Sequence, residues 1–451
     1  MPDPTLDCES NQTAEVPSFS PTFCVYPWME FIVGPTAHMK LCCIAQGALK
    51  TESGKSYTAE KHSMEAVWNS YGMREVRKKM LSGKSIKDCA HCYYQESLGR
   101  TSYRQTFNRE WLTGPFGKEI IRRVKASQEN DGKVDSPPLY LDIRPGNLCN
   151  LKCRMCNPGN SSKIYQEQKE LLNEKRELFS PLIETAYFNS DKEAFHNWHE
   201  DSRIWEEIYS WLPGVKKLYF TGGEPTLIQR NWDLLNHVKK NNWSKNIYLH
   251  FNINCTHVPD KLLDTFEDFQ GVCLNLSIDG YGKVQEYIRY PSKWRVIEKN
   301  IRKVMKHKNE RVSVYFSPVV QVYNILNLTK LLKWVDGLQK EFETTIRHAL
   351  IFCTGPHFLD IAVLPQNVRV QALDQIQDYL DNYQGNDSFL RECLESIQLI
   401  LRTKFKNSKK NLRQLFQYTH ILDEKRGENF QMALPELSQF LNEEGSWKSK
   451  E

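Results

Sequence analysis

Cys149, Cys153 and Cys156 stand in one short run, CNLKCRMC, and offer a metal centre three thiolates with no fourth at matching spacing. A structural zinc site takes four protein ligands and saturates its metal, whereas a centre that binds and activates a small molecule keeps one position free. The spacing therefore predicts a cluster with one open iron. The competing reading, three buried core thiols, leaves their grouping without a reason.

A second concentration of sulfur lies near the N-terminus. Cys24, Cys42, Cys43, Cys89 and Cys92 are five of the thirteen cysteines, and Cys89-Ala90-His91-Cys92 is a CxxC. Four thiolates suit either zinc or an iron–sulfur cluster, and His38, His62 or His91 could complete a zinc ribbon. A first cluster in the same chain favours an auxiliary [4Fe–4S] cluster over zinc. Cys24, Cys43, Cys89 and Cys92 are the expected ligands. Neighbours on a strand point to opposite faces, so only one of Cys42 and Cys43 faces the metal, and Cys42 is the alternative to Cys43.

The elements that must position these residues alternate between strand and helix. Residues 139–143 (LYLDI) read as a short buried strand, and Pro145-Gly146-Asn147 breaks it, so the three cysteines fall on the loop at its C-terminal end. Active sites of (β/α) folds are built on those loops. Residues 161–179 read as the helix that follows. Further strands are expected at 217–220, 246–254, 272–278, 311–322 and 349–352, with helices at 259–269, 294–307 and 328–342. Ahead of them, residues 25–33 and 38–41 read as two strands joined at Gly34-Pro35, which brings Cys24 near Cys42 or Cys43. A basic helix over 68–81 then delivers the CxxC.

The expected fold class is α/β: a partial (β/α)6 TIM-like barrel preceded by a small cysteine-rich α+β domain and followed by a helical tail. The division is a flexible N-terminus at 1–19, the cysteine-rich domain at 20–110, a linker helix at 111–136, the barrel at 137–365 with an insertion at about 165–213, and the helical region at 366–451. The insertion carries Trp198, Trp205 and Trp211, and the tail has amphipathic helices at 368–380 and 388–401 and another starting at Pro435.

Residues 217–220 run directly into Thr221-Gly222-Gly223-Glu224-Pro225. With the CxxxCxxC loop before it, this GGEP motif makes the chain resemble the radical SAM superfamily, whose hallmark is that cysteine loop after the first strand of a partial barrel. Met155 occupies a position that is often aromatic in the family. The resemblance implies a [4Fe–4S] cluster on Cys149, Cys153 and Cys156 with S-adenosylmethionine on its fourth iron. Reductive cleavage would then give methionine and a 5′-deoxyadenosyl radical that abstracts hydrogen from a substrate. By the same resemblance Gly222, Gly223 and Glu224 present backbone groups to the methionine amino group, Ser277 contacts the ribose, and Asn254 lies at the cofactor end of the third strand. Arg289 pairs with the cofactor carboxylate. Cys255 stands where relatives often have glycine, and Asp279 is either a carboxylate facing the substrate or a turn former before Gly280.

The N-terminal segment resembles the auxiliary-cluster modules called twitch or SPASM domains, in the layout that places a twitch domain before the barrel. The matching residues are CVYPW from Cys24, the Cys42-Cys43 pair, MLSGK from Met80, CAHCYYQES from Cys89 and Ser102-Tyr103-Arg104. Thr36-Ala37-His38 replaces the usual Asp-Gly type of turn in the hairpin. The layout implies an enzyme that modifies a peptide or protein, an auxiliary cluster that accepts the electron left after hydrogen abstraction, and an electron donor such as flavodoxin or ferredoxin. Oxidation of a sugar or other small molecule is the alternative function. A non-catalytic iron–sulfur or zinc binding protein is the rival from another class.

Bulk properties set limits. At 451 residues, with 40% hydrophobic and 12% aromatic content, the chain can fill the cores of two or three domains. No stretch is apolar for long enough to span a membrane, and no signal-peptide pattern is present. The expected location is the cytoplasm, where clustered cysteines bind metal instead of pairing as disulfides. A net charge of +5 is small for this length and does not call for nucleic acid. The basic runs at 74–87 and 402–413 read as solvated helix faces. Cys8, Cys255, Cys273, Cys353 and Cys393 are scattered and read as structural.

Overall fold

The computed structural model describes residues 19–97, 101–188, 198–353, 355–403 and 408–443. The N-terminal stretch with Cys8, part of the insertion, and part of the second basic run lie outside the described residues. Eight strands form one sheet. They are β1 (Glu30–Val33), β2 (Met39–Lys40), β3 (Tyr140–Ile143), β4 (Lys217–Phe220), β5 (Tyr248–Ile253), β6 (Gly271–Leu276), β7 (Val312–Phe316) and β8 (Arg347–His348). Strands β3 to β8 lie side by side in chain order and all parallel, the mixed α/β core of a partial barrel.

Side-chain alternation divides the sheet into two faces. In register across five strands, Phe31, Leu141, Leu218, Leu249 and Val272 form one row. They join a hydrophobic core with helix residues such as Ile204, Leu235 and Ile301. The next row, Ile32, Asp142, Tyr219, His250 and Cys273, lies on the opposite face and is mostly polar. That face is the inside of the barrel. The helices supply the complementary stripe: Trp294–His307 buries Ile297, Ile301, Val304 and Met305, four positions at helical spacing.

Three expectations change in detail. First, the N-terminal hairpin has no sheet of its own. Strand β1 lies parallel beside β3 with Ile32 opposite Asp142, and β2 runs antiparallel to β1 with Lys40 opposite Ile32. The cysteine-rich segment therefore extends the barrel sheet by two strands. Second, residues 25–28 do not belong to β1. Tyr26–Trp28 is a 3-10 turn with Pro27 near its start, where a missing N–H costs nothing. Third, β7 stops at Phe316, because the Val319 N–H donates to Asp279 Oδ1 (2.8 Å) and not to the sheet. Val319–Val320 pairs with Ile351–Phe352 in a separate ladder, and the sixth barrel strand is Arg347–His348.

The expected linker at 111–136 holds one helix, Gly117–Glu129, which follows Tyr103–Thr113 and is tied to the turn before β1 by Trp28 Nε1, donating to Ser127 Oγ (2.7 Å). In the insertion, Ser202–Trp211 buries Ile204, Trp205, Ile208 and Trp211. Its tryptophans meet the hairpin: Trp211 packs edge-on to Phe31 (5.1 Å), and Trp198 Nε1 donates to Pro35 O (3.3 Å). The tail helices Gln366–Asn382, Ser388–Arg402, Ser408–Arg426 and Pro435–Glu443 build a second core with Ser162–Phe179, the helix after the cysteine loop. No helix among the described residues is long and apolar enough to cross a membrane.

Candidate functional site

The loop leaving β3 carries the three cysteines and is held from both ends. Ser161 caps the following helix, its Oγ accepting from Ile164 N–H (3.2 Å) and donating back to Leu151 O (2.8 Å). Ser162 N–H donates to Asn147 O (2.7 Å), and Asn147 Nδ2 donates to Pro158 O (2.8 Å), so the loop closes on its own base. In its middle, Lys152–Cys153 pairs antiparallel with Arg289–Tyr290. The thiols of Cys149, Cys153 and Cys156 gather in one small cluster with Leu151 and Met155. Burial pushes the Cys149 thiol up to about 12, with the Cys153 charge adding to it. Cys156 is raised by burial and then by Cys153 and Cys149. The charge of Cys153 thus opposes ionisation of both Cys149 and Cys156, and a metal centre is one partner that stabilises such gathered thiolates.

The GGEP turn after β4 is docked onto this loop. Gly222 takes φ of +97°, which favours glycine, and a Cβ on Gly223 would lie 2.0 Å from Leu148 O. The Glu224 N–H donates to that same oxygen (2.7 Å). These three residues therefore commit at least one backbone donor to the cysteine loop. The Glu224 side chain is buried, accepting from Thr226 Oγ1 (2.7 Å) and from Asn254 N–H (2.8 Å). Asn254 Nδ2 in turn donates to Asn150 Oδ1 (2.9 Å), tying the end of β5 to the loop. Cys255 sits at φ of +60°, in the left-handed region that favours glycine.

Burial lifts the Glu224 carboxyl to about 7 against its hydrogen bonds from Thr226 and Asn254. A raised carboxyl pKa means that the folded state holds its proton more tightly, so its stabilising contribution is present below the unfolded value and lost as pH rises through about 7. Relative to Glu224→Gln, the native protein is expected to lose stability on the order of 3 kcal/mol between about pH 4.5 and 7. Urea unfolding of both proteins across that window checks this.

Ser277 follows β6 at the mouth of the barrel, half-buried, and its hydroxyl makes no hydrogen bond with the described residues. Arg289 lies beside the cysteine loop. Its Nε and Nη2 are paired with the fully buried Asp279 (2.6 and 3.2 Å), and Nη1 lies 3.9 Å from Cys153 Sγ. Asp279 is thus the counter-ion that orients Arg289 and not a turn former alone.

The N-terminal cysteines line a separate cavity of about 340 Å3, its opening included, formed by Cys24, Cys42, Cys89 and Cys92 with His91, Tyr103 and Arg104. Of the two neighbours, the alternative Cys42 lines the cavity and the expected Cys43 does not. Cys42 faces this cavity, whereas Cys43 points to the other side, where Glu30, Arg144 and Asp142 act on its thiol. The reason is the side-chain alternation beyond β2, whose phase the sequence leaves open. Burial raises the thiols of Cys24, Cys42, Cys89 and Cys92. Of the three candidate histidines only His91 lines the cavity. His62 Nδ1 accepts from Thr58 N–H (3.1 Å), and His38 lines a different pocket. Among the described residues no group of three or more His, Cys, Asp or Glu closes tightly enough to hold a single metal ion.

Sequence reasoning missed the tail's grip on the cysteine loop. Arg154, next to Cys153, is fully buried, stacked 3.6 Å over Tyr287, and donates to Asp423 (2.5 Å) and Glu428 (2.9 Å) of the tail. Tyr418 Oη donates to Arg154 O (2.8 Å). A second buried pair, Arg426 with Glu167, joins the tail to the helix after the loop (2.6 Å). These partners lie far apart in sequence, and nothing local marks them.

Residues 143–335 match the model of the Radical SAM superfamily, so the chain carries a radical SAM domain over the cysteine loop, the GGEP turn and β4 to β7. No match to a curated protein was found. Among solved structures, hexahistidine-tagged anSMEcpe with bound AdoMet is 19% identical, with a TM-score of 0.39, over 58% of this chain and 65% of that one. Native anSMEcpe with bound AdoMet and Cp18Cys peptide is 18% identical, TM-score 0.36, over 58% and 67% of the two chains. Streptococcus suis SuiB bound to S-adenosylmethionine is 12% identical, TM-score 0.36, over 74% and 66%. This chain thus spans about 65% of the length of the first of these structures.

Proposed function

We propose that the chain is a radical SAM enzyme in which Cys149, Cys153 and Cys156 hold a [4Fe–4S] cluster that takes S-adenosylmethionine at its open iron, and that it modifies a peptide or protein. Bound there, the cluster and S-adenosylmethionine supply one-electron cleavage of a carbon–sulfur bond, giving methionine and a 5′-deoxyadenosyl radical for hydrogen abstraction. The observation that carries this reading is a donor set of three gathered thiols, buried behind β3, pressed against the GGEP turn and lacking a fourth thiol among them.

The chain's own residues orient and tune that centre. Gly223 and Glu224 fix the turn on the loop, and Asn254 ties the end of β5 to it. Arg289 brings a cation and an N–H to Cys153 Sγ, which eases reduction of the cluster this thiolate would hold. Ser277 keeps an uncommitted hydroxyl at the barrel mouth for the ribose. Arg289 has Asp279 as its carboxylate partner through Nε and Nη2, so its place beside the cofactor would be at the cluster sulfur, with Nη1 left to meet the cofactor carboxylate.

Cys24, Cys42, Cys89 and Cys92 would hold an auxiliary iron–sulfur cluster that accepts the electron left on the substrate. Zinc is the alternative metal for the same four thiolates. Cys42→Ser is expected to lower the iron bound per chain, and Cys43→Ser to leave it unchanged, by metal analysis after reconstitution. The peptide substrate and a flavodoxin or ferredoxin donor rest on the resemblance of the N-terminal layout to twitch-containing enzymes, as does a cytoplasmic location.

The test is anaerobic. The protein is reconstituted with iron and sulfide, reduced, and mixed with S-adenosylmethionine, and 5′-deoxyadenosine is measured by chromatography. Its formation supports the reading. Its absence from protein whose cluster is confirmed by absorbance and iron content would leave an iron–sulfur binding protein in its place.

A further inference from the structure

On the inner face of the sheet, where β1 and β2 extend the barrel, a pocket of about 550 Å3, its mouth included, is lined by Ile32, Thr36, His38, Lys40, Cys43, Arg144, Asn160 and Tyr187. Its position follows from register. Lys40 lies opposite Ile32, Ile32 opposite Asp142, and Asp142 opposite Tyr219, so Lys40 continues the polar inner row of the barrel wall. From above, the pocket is bounded by Gly159 and Asn160, which follow Cys156 in the cysteine loop. Tyr187 closes over Gly159 so tightly that a Cβ there would lie 2.8 Å from its ring. The pocket therefore adjoins the radical SAM loop on one side and, through Cys43, the auxiliary cavity that its neighbour Cys42 faces.

The charges around this pocket do not balance. Arg144 is paired bidentately with Asp142 (2.6 and 2.8 Å), a carboxylate that is fully buried and turned to the guanidinium. The ammonium of Lys40, a half-buried residue, makes no hydrogen bond or ion pair with the described residues. Among the described residues no carboxylate lines the pocket. Glu30 is buried lower on β1 and acts on the thiols of Cys42 and Cys43. A partly desolvated lysine beside an arginine that still has N–H groups directed away from its partner is the chemistry that binds oxyanions.

We propose that this pocket binds an anionic oxygen group of the substrate, a carboxylate or a phosphate, between Lys40 and Arg144. The site is a binding subsite and Lys40 a substrate-contacting residue, with Cys43, Tyr187 and Asn160 as its uncharged walls. Calling the guest a substrate rests on the radical SAM reading above. The preference for an oxyanion does not.

The test reads Lys40 directly in the full-length wild-type chain and needs no turnover. The amine is acetylated in a short pulse at pH 8 with N-hydroxysuccinimidyl acetate, and modification is quantified by peptide mass spectrometry with the exposed Lys55 as internal reference. Glutarate and inorganic phosphate are the probes, against sodium chloride of equal ionic strength. An oxyanion paired with the amine occludes it and is expected to slow its acetylation several-fold, while Lys55 keeps its rate. Protection by glutarate alone identifies a carboxylate guest and by phosphate alone a phosphoryl guest; protection by both supports the subsite for either. Lys40 labelled equally in all three salts, or slowed only in step with Lys55, overturns the proposal. Because 5′-deoxyadenosine formation is measured separately, failure here and failure of the radical SAM reading are told apart.

Discussion

Cys153→Ala is expected to abolish 5′-deoxyadenosine formation while leaving the N-terminal centre loaded. Cys153 is the middle donor of the loop and the one beside Arg289, and its neighbours Leu151 and Met155 offer nothing to replace it. Its backbone lies in the short ladder with Arg289, which alanine preserves, so the variant should fold. Iron after reconstitution should fall from about eight to about four per chain, half of the total for two [4Fe–4S] clusters. The paired variant Cys89→Ala with Cys92→Ala should lose the same amount of iron from the other centre and keep uncoupled cleavage of S-adenosylmethionine. Cleavage retained by Cys153→Ala would sink the assignment of the loop. Zinc lost in place of iron from the paired variant would reassign the auxiliary cavity.

The cysteine loop and GGEP turn were legible because their chemistry is local: ligand spacing and turn residues sit within a few positions of one another. The barrel strands were legible for a similar reason, since VCLNL and its relatives are short apolar runs between helices of matching period. What the sequence concealed depends on pairing across distance. Nothing in Glu30–Val33 announces that it will lie parallel to Tyr140–Ile143, because an apolar strand with both faces covered reads alike in a hairpin and in a barrel. Once that pairing is made, Lys40 and Cys43 belong to the inner wall, and the cysteine-rich segment becomes part of the site's floor. The orientation of Cys42 and Cys43 was a matter of phase, and a single residue decides it. Arg289 stands out by its sequence context, but its partners required the fold: Asp279 is ten positions away and Cys153 comes from another loop.

Arg154→Met is expected to destabilise the protein by about 3–5 kcal/mol and to lower occupancy of the cysteine loop with it. The guanidinium is fully buried between Tyr287, Asp423 and Glu428, and removing it leaves two carboxylates together with no cation between them. Burial already raises the Glu428 pKa even with Arg154 present, so its charge is poorly solvated there. The loss reaches the cluster because Arg154 is adjacent to Cys153, its N–H donates to Ile288 O (2.9 Å), and its carbonyl accepts from Tyr418. Substituting Asp423→Asn and Glu428→Gln in the same chain should recover most of the stability, since neutral amides remain where carboxylates were stranded. Denaturant midpoints and iron content of the single and triple variants separate the two effects. If stability returns and iron does not, Arg154 positions the loop in addition to holding the tail. If both return, charge balance is its whole contribution. An Arg154→Met midpoint equal to the native one would mean that the tail rests on the barrel without locking the loop.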